Sequence, residues 1–275
     1  MKTLHCGRFR LALDRPLIMG IVNLTPDSFS GDGVGGDVER AIAHAHAQVA
    51  AGADILDLGA ESSRPGAPPV SADDELLRLL PLLKALRDVS VPLSVDTMKP
   101  EVMRAALAEG AAMINDIAAL ALPGAVAAVA ETDAAVCLMH MQGEPRTMQQ
   151  NPQYADVVAE VGAYLEGRAR ECEMAGIGHD RIVLDPGFGF GKTAEHNLAL
   201  LRALPELALR GFPVLAGLSR KSLLGAITGR PVGERLPASL AAALIAVQKG
   251  AAIVRVHDVA ATRDALAVLN AVEIN

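Results

Sequence analysis

Residues 92–116, PLSVDTMKPEVMRAALAEGAAMIND, show in miniature the unit from which this chain is built. A short apolar run, Leu93–Val95, ends at a carboxylate, Asp96. A segment of helical periodicity follows at roughly 99–109, and a second apolar run, Met113–Ile114, ends at Asn115. Read outward in both directions, the pattern recurs. The other strand runs are Leu17–Val22, Ile55–Leu58, Ala135–Met139, Ile182–Leu184, Val214–Ala216 and Ile253–Val256. Helical segments lie at 37–51, 72–88, 123–132, 154–175, 194–204, 237–249 and 259–271. Runs that are nearly all apolar fit strands covered on both faces. Eight strand–helix units without a Gly/Ser- or Pro-rich linker predict a (β/α)₈ TIM barrel, one domain over residues 1–275. A doubly wound open sheet needs fewer repeats and a Gly-rich turn after its first strand. Residues 3–13, TLHCGRFRLAL, alternate around Gly7 and predict an N-terminal β-hairpin closing the barrel floor.

Composition narrows the function. The 275 residues carry 25 Lys+Arg against 32 Asp+Glu, a formal charge of −7, with no basic run, so nucleic acid is a poor partner. Seven aromatics, five Phe and two Tyr, cannot supply the stacking platforms of a single-strand binder. The longest uncharged run, Ile117–Ala130, has 14 residues and contains Pro123 and Gly124, too short and broken to span a membrane. The opening MKTLHCGRFR lacks the apolar core of a secretory signal. Cys6, Cys137 and Cys172 are odd in number and show no paired spacing, which points to a cytoplasmic protein without disulfides.

In a parallel barrel the C-terminal ends of all strands meet at one rim. The residues that follow the strand runs are Asn23, Glu61–Arg64, Asp96, Asn115, His140, Asp185, Ser219–Lys221 and Arg255–His257. Any one of them has a bland alternative, since helix N-caps use the same residue types and a strand arginine often serves a structural ion pair. Polar residues at all eight ends are harder to explain that way. Asp96 and Asp185, with Asn115 offering donor and acceptor together, suit a flat heterocycle rich in N–H groups. Arg64, Lys221, Arg255 and His257 suit an anion, and barrels often hold phosphate beside strands seven and eight. Asn23 can offer a carbonyl oxygen to Mg²⁺, which takes few protein ligands and shares substrate phosphates. Phe29, Phe188 and Phe190 lie in rim loops fit to cover a flat substrate. PGFGFGKT imitates a phosphate-binding loop, but Gly187 lies one residue too close to Lys192, so no nucleotide motif is present. No nucleophile–base pair of the covalent type is evident.

Taken together, VNLTPDSFSGDG, GAESSRPGA, SVDTMKPEV, INDI, LMHMQGEPRTMQ, LDPGFGFGKT, GLSRKSLLG and RVHDV resemble the dihydropteroate synthase family of pterin-binding barrels, from about Ile18 to His257. The resemblance implies a cytoplasmic homodimer that joins 7,8-dihydropterin-6-ylmethyl diphosphate to p-aminobenzoate, releasing pyrophosphate, with Mg²⁺. It implies that Asp96, Asn115, Met139, Asp185, Gly217 and Lys221 hold the pterin. Asn23, Ser63, Arg64, Arg255 and His257 would handle the diphosphate, with Asn23 toward the metal. Phe29, Pro65, Phe190 and Ser219 would shape the p-aminobenzoate site, where sulfonamides should also bind. Arg64, Lys221, Arg255 and His257 would be the catalytic set. Two departures stand out: Ser63 where the family usually has Thr, and an added glycine in FSGDG. The rival functions are a methyltetrahydrofolate-dependent methyltransferase, which needs no diphosphate-facing cations, and a silent pterin-binding protein that acts by dimerising.

Overall fold

The computed structural model describes residues 2–24, 38–62 and 66–273. Within them the strands are β1 (Thr3–Cys6), β2 (Phe9–Ala12), β3 (Leu17–Asn23), β4 (Ile55–Gly59), β5 (Leu93–Asp96), β6 (Met113–Asp116), β7 (Ala135–Met139), β8 (Ile182–Asp185), β9 (Leu215–Ala216) and β10 (Ile253–Val256). The helices are α1 (Val38–Ala50), α2 (Ala72–Ala85), α3 (Pro100–Ala108), α4 (Ala125–Ala130), α5 (Val157–Met174), α6 (Ala194–Arg202), α7 (Leu204–Ala208), α8 (Ser222–Thr228), α9 (Leu236–Gln248) and α10 (Val259–Glu273).

Strands β3 to β10 form one sheet in the order β8-β7-β6-β5-β4-β3-β10-β9, with parallel pairing throughout. Its two edges meet through a parallel bridge, Leu184 with Val214, and a 2.9 Å bond from the Leu184 N–H to the Pro213 carbonyl. The sheet therefore closes into the expected eight-stranded barrel with helices outside. Alternation along each strand produces two cores. Ile18, Leu56, Val95, Val136 and Leu184 face outward onto helix residues such as Leu79, Leu83, Val102 and Leu165. Met19, Ile55, Met113, Cys137, Val183 and Ile253 face inward and fill the barrel.

The N-terminal hairpin pairs β1 with β2, from Thr3 opposite Ala12 to Cys6 opposite Phe9. Leu4 and Cys6 join the inner core, and the Gly7 N–H bonds the Asp133 carbonyl just before β7 begins. That fixes the hairpin against the N-terminal end of the barrel, opposite the rim. Helices start where a side chain can take orphan N–H groups. Asp156 accepts from Val158 and Ala159 to open α5, Ser71 accepts from Asp74 to open α2, and Thr193 with His196 forms a capping box on α6.

Three expectations need revision. The polar residues Asn23, Asp96, Asn115 and Asp185 lie within their strands rather than after them, because the ladder hydrogen bonds continue to those positions. The segment 194–204 is a helix only to Arg202, and a separate α7 begins with Pro205 in its first turn. Helix α8, directly after the seventh barrel strand, was not foreseen. Among the described residues no helix is long and apolar enough to cross a membrane.

Candidate active site

Strand register lines up the rim. Asn23 pairs with Gly59, Gly59 with Asp96 and Asp96 with Asn115, so four adjacent strands contribute one row. Glycine at position 59 keeps the row open: a Cβ there would lie 3.4 Å from Asn23 Oδ1 and 3.7 Å from Asp96 Cβ. Asp57, two residues back along β4, faces the same way one layer deeper. It is fully buried and accepts from Ser94 Oγ at 2.6 Å, Asn115 Nδ2 at 3.1 Å and Arg255 Nε at 2.6 Å. Arg255 also donates from Nη2 to Asp96 Oδ2 at 2.9 Å. The guanidinium thus bridges two carboxylates across the barrel mouth, while Asp258 is taken by Arg220 at 2.6 Å. Asp96 does not cap the next helix either: the residue preceding α3 is Lys99, and its side chain makes no cap.

The opposite side of the mouth is set by β8, the turn after it and the segment after β9. Asp185 accepts from the Gly187 N–H at 2.7 Å and sits in register with Met139. Lys221 feels the charges of Asp185, Asp96 and Arg255; its Nζ donates to the Phe188 carbonyl and lies 4.7 Å from the centre of the Phe190 ring. Gly217 makes room between them, since a Cβ there would fall 3.8 Å from Arg255 Cβ and 4.0 Å from Lys221 Nζ. Ser219 Oγ lies 2.9 Å from His257 Nδ1 and also accepts from the His257 N–H at 3.3 Å. The two contacts together fix the orientation of the His257 ring.

The electrostatics are those of a partly dry mouth. Burial raises Asp96 to about 7 despite Arg255, and Asp57 adds to the rise. Burial also raises Asp185, against Lys221 and the Gly187 N–H. It lowers Lys221 to about 8, with Asp185 pulling the other way. Groups balanced this way respond strongly to a charged or hydrogen-bonding ligand.

Of the sequence-predicted residues, Asn23, Asp96, Asn115, Met139, Asp185, Phe190, Gly217, Ser219, Lys221, Arg255 and His257 all lie at this end of the barrel or on the segments directly following its strands. Phe29, Ser63, Arg64 and Pro65 lie outside the described residues. Sequence reasoning missed Asp57, whose only signal was a carboxylate inside the apolar run ILDL. It also missed Lys99, which pairs with Glu61 at 2.5 Å and the buried Glu75 at 2.7 Å beneath the rim. Among the described residues no cluster of three His, Cys, Asp or Glu could hold a metal ion. Asn23 offers one oxygen, which suits only a hard cation that draws its remaining ligands from a substrate and water.

A family model described as pterin binding enzyme matches residues 19–257. A dihydropteroate synthase of Neisseria meningitidis serogroup B is 54% identical over 278 residues, covering 98% of each chain. The crystal structure of the Burkholderia cenocepacia dihydropteroate synthase complexed with 7,8-dihydropteroate superposes with a TM-score of 0.91 at 54% identity, over 98% of this chain and 96% of that one. The Xanthomonas albilineans dihydropteroate synthase with 4-aminobenzoic acid gives 0.92 at 52% identity, over 99% and 98%.

Proposed function

The chain belongs to the family of pterin-binding enzymes, and from that footing we propose how its rim divides the work of the reaction. The activity is that of a dihydropteroate synthase, a transferase that joins the methylene carbon of a dihydropterin diphosphate to the amine of p-aminobenzoate. In our reading Asp96, Asn115 and Asp185 accept and donate along the pterin edge, with Met139 and Gly217 lining the ring and Lys221 reaching it from the side. Arg255, His257 and Asn23 face the diphosphate, together with Ser63 and Arg64. Phe190, Ser219, Pro65 and Phe29 shape the place of p-aminobenzoate, which a sulfonamide would share.

The observation that carries this division is the bridge of Arg255 between Asp57 and Asp96, with Lys221 set opposite beside Asp185. Acids and bases share one opening, and the bonds of Arg255 to Asp57 and Asp96 fix where each presents its remaining donors and acceptors. The C–O bond breaks first, and its electron pair leaves with pyrophosphate, whose charge Arg255 and His257 offset. The carbon left cationic is delocalised into the pterin ring, whose N–H groups Asp96 and Asp185 hold. The neutral arylamine then supplies its lone pair to form the C–N bond and loses its proton to solvent. Mg²⁺, when bound with the diphosphate, would be held by Asn23 and would add positive charge at the leaving group.

Two coarser features complete the proposal. The chain works in the cytoplasm, in keeping with three buried cysteines that carry free thiols. It pairs with a second copy through the neighbouring helices α8, α9 and α10, which expose Ile227, Ile245 and Val268. The test of the reaction is a coupled pyrophosphate assay. Release that requires both the pterin diphosphate and p-aminobenzoate is expected; release indifferent to p-aminobenzoate, or none, would overturn it.

A further inference from the structure

Lys192 is the residue that made PGFGFGKT look like a phosphate loop, and the structure turns it inward. Its side chain is buried, and Nζ lies 3.0 Å from His140 Nδ1, 3.2 Å from the His140 carbonyl, 3.0 Å from the Gly187 carbonyl and 2.9 Å from the Phe190 carbonyl. Three of the four neighbours are backbone carbonyls that accept from Nζ, and burial lowers Lys192 to about 7, with Asp185 pulling the other way. The fourth is the His140 imidazole, whose tautomer sets the direction of its bond with Nζ. Burial together with Lys192 holds that imidazole down to about 3, so it is neutral at ordinary pH.

The turn that Lys192 grips satisfies little of itself: within it the Phe190 N–H bonds the Gly187 carbonyl at 3.0 Å. Gly187, Gly189 and Gly191 adopt φ of +67°, +83° and +60°, so no regular ladder runs through them. Side chains take the carbonyls instead. Lys192 takes those of Gly187 and Phe190, Lys221 that of Phe188, Gln149 that of Gly189, and Tyr154 that of Gly191 at 2.9 Å. The turn is pressed onto the segment after β7: a Cβ on Gly187 would fall 1.9 Å from the His140 carbonyl, and one on Gly191 2.4 Å from that of Gln142. Lys192 is the buried bond between the two segments.

We propose that Lys192 is a positioning residue of the p-aminobenzoate site: by tying the 187–190 turn to the end of β7 it holds the Phe190 ring opposite Lys221. The proposal rests on the assignment of Phe190 to p-aminobenzoate. Of the pterin residues, Asp96 and Asn115 belong to other strands, and Asp185, which precedes the turn, is held by the β8 ladder in register with Met139, so the effect falls chiefly on p-aminobenzoate.

The test is Lys192→Met, which keeps an unbranched apolar stem and removes the N–H donors. Three quantities are read: hydrogen exchange of the peptide covering 187–191, KM for p-aminobenzoate, and Kd for the pterin diphosphate by calorimetry. Exchange and KM are expected to rise by about tenfold or more while Kd stays within about threefold. Unchanged exchange would overturn the proposal, as would a Kd that rises as far as KM, which marks a general collapse of the rim. Faster exchange with unchanged KM would uphold Lys192 as the holder of the turn and count against the Phe190 assignment instead. Should Lys192→Met fail to fold, Lys192→Gln keeps N–H donors on a shorter stem and is read the same way, with a smaller rise expected in both quantities.

Discussion

Asp57 shows how much one buried carboxylate can organise. It receives hydrogen bonds from three other strands, and among the described residues its charge is matched at bonding distance by Arg255 alone. Replacing it by Ala leaves a buried guanidinium half compensated, so a stability loss of about 3 kcal/mol or more in denaturant titrations is expected. Pterin affinity should fall as well, because Asn115 and Arg255 lose their anchor. Asp96 gives a prediction in pH. A bound pterin that donates an N–H favours the carboxylate, and in the free protein Asp96 keeps its proton up to about 7. Affinity for a diphosphate-free pterin should therefore rise between about pH 6 and pH 8 and then level off, and Asp96→Asn should remove that slope. A flat profile in the unmodified protein would contradict the role of Asp96. At this scale the sequence exposed Asp96, Asn115, Asp185 and Arg255 because each interrupts or ends an apolar run. It concealed their pairing: nothing in RVHD says that Arg255 reaches Asp57, 198 residues away, rather than Asp258 beside it.

Elements place these residues with little freedom. The row Asn23, Gly59, Asp96, Asn115 follows from register alone, and a slip of one residue in any strand would turn its member into the helix layer. The periodicity that separates apolar runs from helical segments located all eight barrel strands. It placed the ends of β3, β4, β5, β6 and β8 short, because polar residues and glycine in a ladder look like loop, and it placed those of β7, β9 and β10 correctly. Helix α8 was missed because SRKSLLGAITG is short, lacks a capping side chain and carries Gly225 inside it. The turn after β8 is where backbone chemistry is least forgiving. Gly187→Ala must place a Cβ at positive φ against the His140 carbonyl, so a loss of at least about 2 kcal/mol is expected by chemical denaturation. The p-aminobenzoate KM should rise with it. A variant as stable as the parent would mean that the turn relaxes without cost.

Across the whole molecule, barrel closure makes a site from residues remote in sequence, and that convergence was legible from the count of repeats. The closing hairpin was also foreseen, from the alternation around Gly7. Association is a separate property. Ile227, Ile245 and Val268 are exposed on neighbouring helices, and Ile245→Asp should shift the sedimenting species from dimer to monomer. A parent protein that sediments as a monomer would exclude that face. The central claim is that one mouth grips a flat ring with acids and its charged tail with bases. Calorimetry on the parent, Asp185→Ala and His257→Ala, each with a pterin and with its diphosphate, tests it most directly. Asp185→Ala should weaken both ligands by a similar factor of about tenfold or more, and His257→Ala should weaken only the diphosphate. Equal losses for both ligands in His257→Ala, or none in Asp185→Ala, would contradict the division.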